Sequence, residues 1–270
     1  MRKFLLFILI FITVERFCFW QTKGFRVHRV SRDLVHHPEW DFEEQPQHLV
    51  NVAQLLKQDY FFLGHGAQCY AFLSADKSTV LKVFKHPRFR RYFFPKDLSQ
   101  FFESIRIAYK ELREETGLIY VHLNKTDQFH KKLTVWDRIG TAHTFDLDGT
   151  QFLLQKRAEL ASEKLRALRR EGNLSEAQQC IDTLLAFHQC CCRKGVIDRD
   201  PIFEKNFGID GKRTFGIDIG SFSKDPYAAV PARAKKQLFF ATLNFKQWIE
   251  KNYPELKDYV EEKIYALLAE

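Results

Sequence analysis

Residues 61–86 read FFLGHGAQCYAFLSADKSTVLKVFKH, and this run constrains the fold more than any other. Two β-rich stretches flank the turn sequence SADKS, so the segment predicts a hairpin with a glycine-rich turn at its entry. Gly64 and Gly66 permit positive φ and close backbone approach to a phosphate. Alone, a G-x-G is a weak signal that fits an ordinary tight β-turn. Its position between two predicted strands excludes the dinucleotide-binding arrangement, which needs strand, glycine turn and then helix. Lys82 lies within the second strand among Val80, Leu81 and Val83. A strand lysine among apolar residues often just points to solvent, but eighteen positions after Gly64 it is also a candidate to contact nucleotide phosphates. Lys85, the fallback candidate, is three residues on and should face the other side of the strand.

The rest of the chain reads as β-rich with one helix, then α-rich. PQHLVNVAQLLKQDY suits a short amphipathic helix. Residues 97–116 carry a helical period closed by Gly117. Glu111 shares an inward-facing side of that helix with Ala108 and Leu112, and is the expected partner of Lys82. Glu114 and Glu115 read as surface charge. LIYVHL, LTVWDRIG, HTFDLDGTQ and FLLQKRA give strand–turn–strand signals, with LDGT as a hairpin turn. ASEKLRALRREG and SEAQQCIDTLLAFHQCCCRKG predict two helices, the second capped by Ser175 and ended by Gly195. Two further helices, each opened by proline, close the chain. The expected divisions are a hydrophobic segment at 1–20, a polar linker at 21–46, a β-rich lobe at 47–157 and a helical lobe at 158–270.

Between those helices stand GVIDRDPIFEKNFGI, residues 195–209, and GIDIG, residues 216–220. Phosphoryl transfer needs a carboxylate at the acceptor hydroxyl and oxygen ligands for Mg²⁺ on the phosphates. Asp200 fits the first role; Asn206 and Asp218 fit the second. Any one of them alone could be a turn residue. All of them in this order behind a glycine-rich hairpin and a strand lysine are harder to attribute to chance.

In that order the chain resembles the protein-kinase-like superfamily, which includes protein kinases, aminoglycoside-type small-molecule kinases and lipopolysaccharide-core sugar kinases. LGHGAQCYAF looks like the glycine-rich loop, Lys82 like the phosphate-contacting lysine and Glu111 like its helix partner. FLLQKRA stands in the place of the hinge, VIDRDPIFEKN is similar to the catalytic loop and IDIG to the metal-binding D-x-G. The resemblance spans roughly residues 58–222. It implies an α+β, two-lobed protein-kinase-like fold, with a β-rich N-lobe carrying one helix and a short α-helical C-lobe. It also implies ATP and Mg²⁺ as cofactors, Asp200 as the catalytic residue, and Asn206 and Asp218 as metal ligands.

Several positions depart from the family pattern. Cys69 replaces the third loop glycine and Asp198 the catalytic-loop histidine. Asp200 and Asn206 are six positions apart where the pattern has about five, and Pro201 lies between them. No A-P-E follows the D-x-G, and fifty residues remain after Gly220. The expectation is therefore a phosphotransferase for a small molecule or lipid-linked sugar rather than a regulated protein kinase. The alternative is a catalytically degenerate pseudokinase serving as a binding module.

Charge and hydropathy bear on partners. The net charge of +8 favours anionic partners. Lys85, Arg88, Arg90, Arg91 and Lys96, interleaved with four aromatics in KHPRFRRYFFPK, suit a phosphorylated substrate or an anionic membrane surface. Nucleic acid is not the expected partner. Arg2 and Lys3 precede an apolar run from Phe4 to Val14, as in a signal sequence or a short anchor, although a buried N-terminal helix fits too. Membrane association or export is the favoured expectation, with the side of the membrane open. The six cysteines contain no C-x-x-C pair and read as reduced packing residues.

Overall fold

The computed structural model describes residues 2–31, 34–86 and 99–269. Apart from Lys85 and His86, the basic–aromatic patch at 85–96 lies outside the described residues. In chain order the elements are α1 (Arg2–Thr22), α2 (Pro46–Leu55), β1 (Tyr60–His65), β2 (Cys69–Ser74), β3 (Thr79–Phe84), α3 (Ser99–Glu111) and α4 (Arg113–Thr116). Then follow β4 (Leu118–His122), β5 (Lys132–Trp136), β6 (Ala142–Asp146), β7 (Phe152–Lys156), β8 (Glu159–Leu160), α5 (Ala161–Glu171) and α6 (Leu174–Arg193). The chain ends through β9 (Val196–Asp198), α7 (Phe203–Asn206), β10 (Phe207–Asp210), β11 (Arg213–Gly216), β12 (Phe222–Lys224), α8 (Pro231–Asn252) and α9 (Lys257–Ala269).

These elements form two compact units, Met1–Lys96 with Ile119–Lys156, and Asp97–Leu118 with Arg157–Glu270. The first is β-rich and the second mainly helical, so the fold class is α+β as the motif order implies. In the first unit a seven-stranded sheet runs β4-β7-β3-β2-β1-β5-β6. Its core joins Tyr70, Phe72, Leu81, Val83 and Phe152 to Val52 and Leu56 at α2. Aromatic rings dominate it, as the abundance of phenylalanine suggests.

Residues 21–46 do not behave as a linker. Phe25 and Val30 are buried in the sheet core, and the Tyr70 hydroxyl donates to the Gly24 carbonyl at 2.7 Å. Their apolar side chains are spaced without helical or strand period, so the segment resembles a polar connector until the sheet it covers is known.

LDGT is not a hairpin turn. β6 pairs with β5, and β7 pairs with β3, so no hairpin joins β6 to β7. The hairpin turn lies one step earlier, at 137–141, where the Asp137 carboxylate accepts from the backbone N–H of Ile139 and Thr141. Asp148 instead organises the loop before β5. Its carboxylate accepts from Thr126 Oγ1 and from the N–H groups of Gln128, Phe129 and His130. Burial works against the charged form, but these donors outweigh it and hold the carboxyl below the usual range.

In the second unit the expected helix at 97–116 is interrupted at Leu112, giving α3 and α4, and Gly117 ends α4 in the left-handed region at φ 63°. This segment belongs to the helical unit rather than to the β-rich one. The buried Ser104 hydroxyl holds it there, donating to the Ile219 carbonyl at 2.5 Å and accepting from Phe222 N–H at 2.7 Å. Helix α6 begins at Leu174, and its cap is Asn173, which accepts from Glu176 N–H, not Ser175. Cys180, Cys191 and Cys192 pack on its buried face, and all six cysteines are free thiols. Burial pushes the Cys180 thiol up to about 11, so it is inert at neutral pH.

Candidate functional site

In the β-rich unit, Gly64 sits at a bulge in β1, where pairing with β2 shifts register between Phe62 and Gly64. Neither Gly64 nor Gly66 adopts a positive φ, contrary to one of the two reasons for expecting glycine there. A Cβ added at either would meet nothing within 4 Å. Neither backbone conformation nor internal packing calls for glycine at these positions, whereas close approach of an external group to the main chain would.

Lys82 lies opposite Ala71 in β2 and Leu153 in β7. Leu81 and Val83 point into the sheet core, so strand alternation turns Lys82 to the other face, where it is half-buried. Lys85 serves the loop itself. Its ammonium donates to the Gly66 carbonyl at 2.5 Å and stands 4.2 Å above the Tyr70 ring. Burial lowers its pKa, so a loop contact rather than a free surface charge describes it.

In the helical unit, Asp200, Asn206 and Asp218 are brought together around Asn206. The extra residue between Asp200 and Asn206 is absorbed locally. Ile202 N–H donates to the Asp200 carbonyl at 2.8 Å, a γ-turn centred on Pro201, and α7 then makes a single helical turn. Proline suits the centre of an inverse γ-turn because its φ is already near that value. Asn206 thereby returns to Asp200. Its Nδ2 donates to the Asp200 carbonyl at 2.7 Å and approaches the carboxylate at 3.3 Å. A carbonyl can only accept, so this bond sets the amide orientation and leaves Oδ1 as its acceptor end. The Asn206 carbonyl in turn accepts from Ile217 and Asp218 N–H, at 2.8 and 3.2 Å.

Asp198 joins the two loops. β9 pairs with β12, Asp198 opposite Phe222. The buried carboxylate accepts from Asp200 N–H at 2.9 Å and Ser221 Oγ at 2.6 Å, both on Oδ1. Burial pushes it up to about 6, against the pull of those donors. Gly220 is closely packed: an added Cβ would lie 2.8 Å from the Phe101 ring, which would have to shift. Ser104 and Ser221 were not legible as site residues, because a lone serine carries no spacing signal.

Glu111 is not a free charge. Its carboxylate pairs with Lys224 at 2.7 Å, and its backbone carbonyl accepts from Lys194. Glu115 is not a solvated charge either; it pairs with Lys194 at 2.6 Å. Glu114 lies 3.6 Å from Arg213 at the surface.

Asp200 and Asp218 are exposed and Asn206 is buried. The donor set is all oxygen, which suits a hard cation such as Mg²⁺ rather than zinc. Among the described residues no three His, Cys, Asp or Glu side chains gather as a metal cage. One carboxylate with an amide oxygen is nonetheless enough for Mg²⁺ when phosphates and water complete its shell. A cavity of about 460 Å³ in this unit, lined by Glu176, Gln179, Thr183 and Lys212, includes none of these residues.

No family model matches the chain, and no curated protein matches it. Among solved structures it is similar to ROP2 from Toxoplasma gondii, described as a virulence factor with a protein-kinase fold and no enzymatic activity. Identity is 13%, 86% of each chain is covered, and the TM-score is 0.41.

Proposed function

We propose that this protein is an ATP- and Mg²⁺-dependent phosphotransferase acting on a hydroxyl of a small molecule or lipid-linked sugar. The observation that supports this reading best is the bridge at Asn206, whose amide reaches Asp200 while its carbonyl anchors Asp218. Asp200 orients the acceptor hydroxyl and takes its proton; Asn206 Oδ1 and the Asp218 carboxylate hold the cation. When bound, Mg²⁺ neutralises charge on the phosphate oxygens. In the β-rich unit, Lys82 is assigned to the nucleotide phosphates and the backbone at Gly64 and Gly66 to their approach. Asp218→Ala is expected to abolish Mg²⁺-dependent ATP turnover by the purified protein; unchanged turnover would sink the mechanism.

A second reading, a pseudokinase that binds nucleotide or a partner, is favoured by one specific feature. Glu111, the carboxylate expected to position Lys82, is engaged by Lys224. Under that reading ATP stabilises the protein equally with and without Mg²⁺, and no turnover is found.

A further inference from the structure

The first unit carries a helix with nothing packed around most of its length. From Phe4 to Trp20 the large apolar side chains of α1 are exposed, Phe4 by 66% and Trp20 by 56%. Lys3–Thr22 has a mean hydropathy of 1.8 and is not buried against the protein. The helix is apolar on all sides, so it has no polar face with which to lie flat on a bilayer. From Lys3 to Lys23 it rises about 30 Å, the thickness of a hydrocarbon core. The Glu15–Arg16 pair, 3.9 Å apart, lies within about two turns of the C-terminal end, where long side chains reach the headgroups.

The base of α1 is clamped to the folded unit rather than tethered to it. Gly24 N–H donates to the Phe19 carbonyl at 3.0 Å. Gly24 has φ +72°, and an added Cβ would collide with the Phe19 ring. Arg138 Nη1 donates to the Trp20 carbonyl at 3.4 Å, and its guanidinium stands 5.6 Å from the Trp20 ring. The Lys23 ammonium lies 5.6 Å from the same ring, and the Arg29 guanidinium 5.9 Å from Phe19. Next to Arg138, at the tip of the β5–β6 turn, Ile139 is 56% exposed, and Asp137 rigidifies the turn beneath it. Tryptophan with lysine and arginine at one helix end is the composition of a membrane–water interface. An exposed isoleucine on a rigid tip beside it is an apolar anchor at the same level.

We propose that the β-rich unit is seated directly on an anionic membrane surface. Helix α1 spans the bilayer, Ile139 enters the interface, and Trp20, Lys23, Arg29 and Arg138 form a collar at the phosphate headgroups. The proposal is independent of the phosphotransferase reading.

The test uses the full chain carrying Ile139→Cys, with Cys18, Cys69 and Cys190 replaced by serine so that only buried native thiols remain. An environment-sensitive fluorophore is attached at position 139, and the protein is reconstituted in phosphatidylcholine–phosphatidylserine vesicles. The expected result is a blue shift relative to detergent micelles, reduced by Arg138→Glu, by high salt and in phosphatidylcholine alone. Emission identical in vesicles and micelles would overturn the proposal. So would a shift indifferent to lipid charge and salt, or one growing with protein concentration in detergent, which marks a second copy as the occupant. Mass spectrometry of the membrane-bound protein is expected to find residues 1–22 retained; their removal would also overturn it.

Discussion

Asp198 is a carboxylate with little water around it, and its cost and its use can be separated. Folding raises its pKa from 3.8 to about 6, chiefly by burial. A raised folded pKa means that its contribution to stability is fully present below pH 3.8 and is lost as pH rises through about 6. The loss amounts to about 3 kcal/mol at pH 7.5. Asp198→Asn removes that dependence and keeps an oxygen able to accept from Asp200 N–H and Ser221 Oγ. The expected outcome is a melting temperature that falls less between pH 5 and pH 7.5 than that of the unmodified protein. Equal falls in both would show that Asp198 is not the buried acid described. Asn206 illustrates the opposite economy, a neutral side chain in the place where a third carboxylate would repel Asp200 and Asp218.

At the scale of elements, single side chains decide where segments dock. Asp148 satisfies three backbone N–H groups ahead of β5, so Asp148→Ala is expected to cost about 2–3 kcal/mol and to lower the melting temperature. Because its folded pKa is depressed, its contribution is present above the unfolded value and is lost as pH falls, opposite in sign to that of Asp198. Ser104 ties α3 to the segment after Asp218. Ser104→Ala leaves Phe222 N–H and the Ile219 carbonyl without this partner and is expected to cost about 1–3 kcal/mol, read by denaturant unfolding. The strands around Gly64 and Lys82 were legible because β-branched and aromatic runs bounded by turn residues act locally. The place of 21–46 was not, since Phe25 and Val30 are explained only by a sheet formed later in the chain. LDGT misled because an Asp-Gly pair marks a turn without naming the strands it joins. The motif order at 195–220 was legible and its geometry was not: the γ-turn at Pro201 absorbs a residue that counting alone left unplaced.

For the whole molecule, the net charge of +8 suits the two kinds of anion that the two proposals invoke, nucleotide phosphates and lipid headgroups. The β-rich unit carries the glycine-rich turn, Lys82 and the clamped helix α1; the helical unit carries Asp200, Asn206 and Asp218. A phosphotransferase held at a membrane surface would meet lipid-linked acceptors by geometry rather than by affinity. The central claim, that the oxygen donors around Asn206 hold Mg²⁺ with nucleotide, is tested most directly by thermal unfolding of the purified full chain. It is measured with ATP alone, with Mg²⁺ alone and with both, for the unmodified protein and for Asp218→Asn. The account expects stabilisation by the two together beyond the sum of each, lost in Asp218→Asn. Stabilisation by ATP that ignores both Mg²⁺ and the substitution would contradict it.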